Sequence, residues 1–344
     1  MFDNAFTQRD SAKCAIVLPA YNVALYLREC LDSILAQTYT NFTVFAVDDG
    51  STDETGEILD EYAKRDKRIQ VFHTTNHGIS AARNVALEHI ETPNNFDYVA
   101  FVDSDDRVAP DMLKTLLSEA LDKTADIVAC APASLYSSGK ISLNGRWLPQ
   151  HCLTLTKEDF LSLIFACGRY NNLCGCGGAV WKNIYKAQVI HGLRFEENRN
   201  ICEDELFNTD VSARAKMIVY IPKILYFYRK RSTSFTSSPR FDLKLLEGRH
   251  KAFFSAVKIS EKAAVIVVSS YIKAILESAK TPQNKADFEI KIPQPWIKKS
   301  LQSGLIGKKR AFQWFLLTEH PKLFSLYRTF RWLFCPRNWT KKMY

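Results

Sequence analysis

Residues 98–106 read Tyr98-Val99-Ala100-Phe101-Val102-Asp103-Ser104-Asp105-Asp106, five apolar residues followed by an acidic turn. An apolar run this short, rich in aromatic and β-branched side chains and closed by Asp and Ser, predicts a strand buried on both faces. The segments around it follow suit. Residues 14–18, 43–47 and 69–72 read as three further strands, and apolar residues recur at helical spacing between them: Leu27, Leu31, Ile34 and Leu35, then Ile58, Leu59 and Tyr62, then residues 79–90. Downstream, Pro110 opens a helix reaching residue 121, and residues 127–130 form a fifth strand. Strands and helices alternating at this spacing predict an α/β fold with a Rossmann-like, mostly parallel central sheet.

Such sheets bind ligands beyond the carboxyl ends of their strands. The segments following the strands are Pro19-Ala20-Tyr21-Asn22, Asp48-Asp49-Gly50-Ser51-Thr52-Asp53, residues 74–78 and residues 103–106, and they are expected to converge on one crevice. Asp103 and Asp105, two positions apart, can share a hard cation that keeps open positions for phosphate oxygens. The plainer reading is an Asp-rich turn in which Asp106 or Asp111 caps the next helix. Asp49 can accept from a pyrimidine or ribose donor, while Thr52 or Asp53 serves as N-cap. Arg83 either faces a diphosphate or is a solvated cation near a helix start.

The second half is less regular. A Gly-rich stretch, residues 174–178, precedes Ala179-Val180-Trp181, and Glu203-Asp204-Glu205 opens a helix whose dipole favours acidic residues in its first turn. Trp181 is placed either to stack on an acceptor sugar or in the core. Residues 220–228 read as a strand running into Arg229-Lys230-Arg231-Ser232-Thr233-Ser234, residues 241–280 as one or two helices, and Pro282, Pro293 and Pro295 as a linker. The expected division is a catalytic domain over 1–240 and a smaller helical region over 241–344.

Four segments in order, Ile16-Val17-Leu18-Pro19-Ala20-Tyr21-Asn22, Val47-Asp48-Asp49-Gly50-Ser51-Thr52-Asp53, Asn76-His77-Gly78-Ile79-Ser80-Ala81-Ala82-Arg83-Asn84 and Val102-Asp103-Ser104-Asp105-Asp106, together resemble the family-2 inverting glycosyltransferases of the GT-A fold. The resemblance implies transfer of a sugar from a UDP-sugar to a hydroxyl of a surface glycan or lipid-linked oligosaccharide, with Mn2+ or Mg2+ as cofactor. It implies that Pro19 and Tyr21 border the uracil, that Asp49 bonds it, and that Arg83 lies near the uracil or diphosphate. By the same resemblance Asp103 approaches the ribose, beside Ser104, and Asp105 ligates the metal. Asn76 and Gly78 shape the loop by the nucleotide. Glu203-Asp204 resembles the family's Glu-Asp pair, with Asp204 as the catalytic base and Glu203 on the acceptor side with Trp181. Tyr228-Arg229-x-Arg231-x-x-Ser234 resembles its distal phosphate-binding element.

The chemistry needs these residue types. A nucleoside diphosphate leaves once its developing charge is neutralised, which a cation and Arg donors accomplish, and the attacking hydroxyl needs one positioned carboxylate. A sugar nucleotidyltransferase is the enzymatic alternative, yet it calls for a Gly-rich phosphate loop near the N-terminus, and residues 18–22 have none. A sugar-binding scaffold with a degenerate domain is the other; the presence of Asp105 and Asp204 argues against it.

Composition is that of a globular protein, with 47% hydrophobic and 24% charged residues in 344, which excludes disordered and collagen-like classes. The charge is uneven. Residues 285–344 hold thirteen Lys or Arg against three acids, a net +10, which leaves the first 284 residues at −1 of the chain's +9. From Phe312 to Tyr344 ten aromatics interleave with cations, and Leu323, Leu326, Tyr327 and Phe330 share one helical face. This tail is expected to attach the protein to an anionic membrane surface, on the cytoplasmic face of the inner membrane, or else to pack on the catalytic domain. No nucleic-acid module accompanies the charge, so nucleic acid is not an expected partner. Nine cysteines without paired metal-ligand spacing and the absence of an apolar leader suit reduced thiols in the cytoplasm.

Overall fold

The computed structural model describes residues 11–91, 95–144, 146–166, 172–175, 177–197, 202–231, 243–278 and 292–319. All seven residues of β1 (Cys14–Ala20) are buried. It runs parallel to β2 (Phe42–Asp48) on one side and to β4 (Tyr98–Phe101) on the other, and β3 (Ile69–His73) continues the parallel ladder beyond β2. The crossovers are α1 (Ala24–Leu35), α2 (Thr55–Arg65) and α3 (Ile79–Glu91). Period-two alternation divides β1 between two cores: Cys14, Ile16 and Leu18 join a cluster with α1 and α2, whereas Ala15 and Val17 join one with α3. That double burial is why the strands read as continuous apolar runs.

After β5 (Arg107–Val108) and α4 (Met112–Asp122), β6 (Ile127–Tyr136) extends six residues beyond the expected strand. β7 (Ile141–Ser142) hairpins onto it, and β8 (Leu153–Leu155) leads into α5 (Lys157–Ile164), which Thr156 and Asp159 start with a reciprocal capping box. β9 (Asn183–Lys186), the one-turn α6 (Ala187–Ile190), α7 (Glu203–Arg214) and β10 (Ile218–Lys230) follow. The sheet order is β3-β2-β1-β4-β9-β6-β10-β5. β6 and β10 form a second parallel pair, and β9 lies antiparallel between β4 and β6, so the sheet is mixed with two parallel halves.

Helices α8 (Leu243–Ile259), α9 (Glu261–Ser278), α10 (Gln294–Gln302) and α11 (Gly307–Glu319) cover the face that carries α3, α5 and α7, and their buried residues, Phe253, Val267, Ile297 and Trp314 among them, join that face's core. Among the described residues no helix is long and apolar enough to cross a membrane.

Three local expectations change. The N-cap of α2 is Glu54, not Thr52 or Asp53; Asp53 instead accepts from the Thr55 N–H (3.0 Å) and the Ala24 N–H (3.1 Å), fastening α1 to α2. Asp106 caps nothing and is buried, and Asp111 is an N-cap whose side chain accepts from the Thr115 hydroxyl rather than from a backbone N–H. Pro293 and Pro295 are not linker: Pro293 is the N-cap of α10 and Pro295 lies in its first turn, where a missing N–H costs nothing. Pro282, Ser234 and residues 320–344 of the tail lie outside the described residues. The beginning of the tail packs: Trp314 and Leu316 of α11 are buried while Phe312 and Phe315 are exposed.

Candidate active site

The loops after β1, β2 and β3 are bound to one another by short polar links. Asn22, at φ +49°, accepts from the Thr52 N–H (2.8 Å) and donates its own N–H to Ser51 Oγ (3.1 Å). Asp49 accepts the His77 N–H (2.9 Å) and the Gly78 N–H (2.8 Å), one on each carboxylate oxygen. At Gly50, φ +72°, a Cβ would lie 2.7 Å from the Asn76 nitrogen, so only glycine lets these two loops touch. Pro19 is buried, and Asn76 is exposed beside Tyr21, whose ring is 46% accessible at the rim. The convergence expected from the strand ends is present, and Asp49 acquires a task the residues alone did not suggest: it holds the 77–78 loop in place.

Arg83 is the hub of the site. One turn into α3, it is 1% exposed instead of solvated, and its guanidinium donates to Asp204 Oδ1 (2.7 Å) and Asp103 Oδ1 (3.1 Å), with Glu203 Oε1 at 3.5 Å and the Phe195 ring beneath it at 5.1 Å. Asp204 takes a second hydrogen bond, from the Val180 N–H (3.2 Å), and keeps 17% of its side chain exposed. Burial pushes Asp204 above the ordinary carboxylate value, with the Asp103 charge adding to the rise and Arg83 opposing it. Burial, then the neighbouring Asp204 charge, pushes Glu203 up to about 7. The Arg83 charge keeps this acidic cluster tolerable in a partly desolvated place.

β10 brings a second set of groups to the acidic turn. Ser104 is buried, and Asp105 pairs with Arg231 (2.8 Å) while its carbonyl accepts from Arg229 Nε (2.7 Å). Arg229 also pairs with Glu29 (2.5 Å), and both arginines lie over the Tyr26 ring, at 5.0 and 5.3 Å. Asp106 accepts from the Tyr226 hydroxyl (2.8 Å) and the Arg229 N–H (2.7 Å). The same Tyr226 oxygen accepts the Asp103 N–H (3.0 Å). Glu29, Tyr26, Asp106 and Tyr226 were not singled out from sequence, although the Tyr-x-Tyr-Arg register of β10 carries the signal for Tyr226. Burial pushes Asp105 above its ordinary value, and the Asp103 charge raises it further.

Trp181 is half-buried, nearly parallel to Tyr226 (4.3 Å) and Tyr228 (5.5 Å). Before it, the glycine stretch is held by the buried Lys182 ammonium, which donates to the carbonyls of Gly175 and Gly177. Gly178 lies flat on α7, where a Cβ would come 3.1 Å from the Glu205 Cα. These contacts carry Val180 to Asp204. Among the described residues no group of three or more His, Cys, Asp or Glu converges to hold a metal unaided.

Residues 15–171 match the family described as Glycosyl transferase family 2. Glycosyltransferase GlyG of Streptococcus pneumoniae serotype 4 is 32% identical over 241 residues, which span 67% of this chain and 74% of GlyG. The chain belongs to glycosyltransferase family 2. A second family-2 relative, the uncharacterized glycosyltransferase EpsJ of Bacillus subtilis (strain 168), is 29% identical over 294 residues, 81% of this chain and 82% of EpsJ. Among solved structures, S. aureus TarS 1–349 in complex with UDP-GlcNAc superimposes with a TM-score of 0.61 at 24% identity, over 84% of this chain and 79% of TarS 1–349. The fold is thus GT-A, as the strand pattern and motifs implied, and the protein is a glycosyltransferase. Family-2 membership sets aside the nucleotidyltransferase and scaffold readings.

Proposed function

We propose that this family-2 enzyme moves a hexose from a UDP-sugar to a hydroxyl of a glycan or lipid-linked saccharide, with inversion, and that Asp204 is its base. The observation that carries the reading is the single guanidinium of Arg83, which joins Asp103 at the end of β4 to Asp204 at the start of α7. It puts a carboxylate of the acidic turn and the candidate base on one rigid centre. The UDP-GlcNAc complex of TarS supports a uridine donor.

The donor set suits a divalent cation. Asp103 and Asp105 offer oxygen ligands only, and their mutual repulsion, felt in the raised pKa of Asp105, is what a dication would relieve. Two carboxylates leave most of the shell to water and diphosphate oxygens, the usual arrangement for Mg2+ or Mn2+. When bound, the cation supplies charge to the departing diphosphate.

The chain's own residues do the rest. Tyr21 and Pro19 border the base of the nucleotide, with Asn76 and Gly78 shaping that wall and Asp49 reaching the base through its remaining lone pairs. Ser104 belongs to the same turn as the ribose-facing Asp103. Arg229 and Arg231, with Ser234 beyond them, receive phosphate charge from the β10 side. Asp204 accepts the proton of the attacking hydroxyl on the face opposite the diphosphate, and Glu203 and Trp181 border that acceptor.

The test is a panel of UDP-sugars assayed for slow hydrolysis with Mn2+ or Mg2+. One donor is expected to turn over; chelation with EDTA and Asp105→Asn are each expected to lower the rate by about a hundredfold or more, by analogy with loss of a transition-state charge partner. Full turnover in EDTA would remove the cation from the reading.

We place the enzyme against the cytoplasmic face of the inner membrane, with the unit over 241–344 as the attaching region. α11 exposes Phe312 (52%) and Phe315 (47%) one turn from exposed Lys308 and Lys309, a combination that suits an anionic headgroup layer. Phe312→Ser with Phe315→Ser is expected to reduce sedimentation with vesicles containing phosphatidylglycerol at least about fivefold, as loss of two buried aromatic contacts implies. Unchanged sedimentation would detach α11 from this role.

A further inference from the structure

Arg229, Lys230 and Arg231 read as one basic run, but the strand divides them. Side chains on β10 alternate between the faces of the sheet. Arg229 and Arg231 reach Asp105, Glu29 and Tyr26. Lys230 falls with Tyr228, its ammonium 4.7 Å from that ring, on the side where Trp181 stacks. There it lines a cleft of about 170 Å3 between β6, β7 and the end of β10, together with Trp181, Tyr228, Arg146, Ser134 and Asn144.

The cleft carries two cations and no acid among its lining residues. Its neutral polar groups are already engaged: Asn144 donates to Ser134 Oγ (2.8 Å) and accepts from the Tyr136 hydroxyl (2.9 Å). Trp181 connects the cleft to the reaction centre, since the preceding Val180 N–H holds Asp204. Two like charges brought together beside aromatic rings are costly without a counter-charge, and burial with the Arg146 charge lowers the pKa of Lys230.

We propose that this cleft receives an anionic group, phosphate or carboxylate, carried by the acceptor saccharide, with Lys230 and Arg146 as its charge partners and Trp181 and Tyr228 bordering the sugar. The acceptor is then a charged glycan. This deepens the acceptor side of the function proposed above and rests on Asp204 being the base that the acceptor approaches. The donor phosphates are served by the opposite face of β10, so the two anions do not compete.

The experiment titrates the full chain, saturated with UDP, with glucose 6-phosphate, glucuronic acid and neutral methyl glucoside, following tryptophan fluorescence. At least one acid is expected to bind about tenfold more tightly than the neutral sugar, a preference that salt weakens. The two acids separate a phosphate-bearing acceptor from a uronate-bearing one. Lys230→Gln and Arg146→Gln are each expected to remove most of the preference while UDP affinity stays at the wild-type value. Equal affinity for all three sugars, no acid binding in the millimolar range, or a preference surviving in both variants would overturn the proposal. Failure of UDP to bind would instead count against the donor reading, and the same sugar titration without UDP still decides the cleft.

Discussion

Asp204→Asn is expected to lower the rate of sugar transfer by about 10²- to 10⁴-fold, the usual range for a positioned general base, with UDP binding retained. The carboxylate accepts one hydrogen bond on each oxygen, from Arg83 and from the Val180 N–H, and a carboxylate has about four lone-pair sites, so acceptor directions remain for a hydroxyl at its exposed rim. An asparagine keeps only one acceptor oxygen. Either Arg83 or Val180 would face its amide N–H groups, a local loss of about 1–3 kcal/mol that thermal unfolding would register separately from activity. The pH profile gives a second readout. The active form is the ionised one, and burial raises the pKa of Asp204, so activity is expected to fall on acidification at a higher pH than an ordinary aspartate would allow. Undiminished transfer by a folded, UDP-binding Asp204→Asn protein would refute the base assignment.

Removing the Arg83 charge is expected to be the most destabilising single change in the site. Arg83→Met leaves Asp103, Glu203 and Asp204 facing one another without their shared cation, and breaking a buried ion pair on one side typically costs about 3–5 kcal/mol. The loss depends on pH with a definite sign. A carboxyl whose folded pKa is raised gains relative stability from protonation, and that gain develops as pH falls through the folded pKa toward the unfolded one. Glu203, raised to about 7, is ionised at pH 8 and largely neutral at pH 6, so the variant should lose more at pH 8 than at pH 6. Urea unfolding at the two values measures this. Arg83→Lys should fall between, because an ammonium is a point charge and cannot bridge as the planar guanidinium does. A loss under about 1 kcal/mol at both pH values would show that the cluster is not held by Arg83.

The legible features were those encoded over a few neighbouring residues. β1, β2, β3 and β4 begin and end within two residues of the apolar runs that announced them, because strands buried on both faces leave no polar interruption. β6 was cut short at residue 130 because Pro132 cannot donate to a ladder. The strand continues beside β10 where that pairing shifts register, which is how a sheet accommodates a proline. β5, β7 and β8 span two or three residues each, too short for any periodicity. Arg83 resisted reading for a different reason. Near a helix start an arginine is ordinarily solvated, and its partners Asp103 and Asp204 are 20 and 121 positions away. Asp106 looked like a cap, yet Tyr226 and Arg229, some 120 residues later, draw it inward.

The amino-acid sequence by itself determined the order of strand-end motifs, the doubly buried sheet and hence membership of the GT-A glycosyltransferases, because each of these rests on local spacing. Tertiary structure alone decided which carboxylates share a cation and which face of β10 each basic residue serves. A carboxylate's role depends on the charges and water around it, and those are set by chain segments that meet only after the sheet has formed. The acidic residues 103–106 were therefore visible from the start as candidates. Only the fold divided them into an Arg83 partner, a candidate metal ligand and a buried anchor for β10.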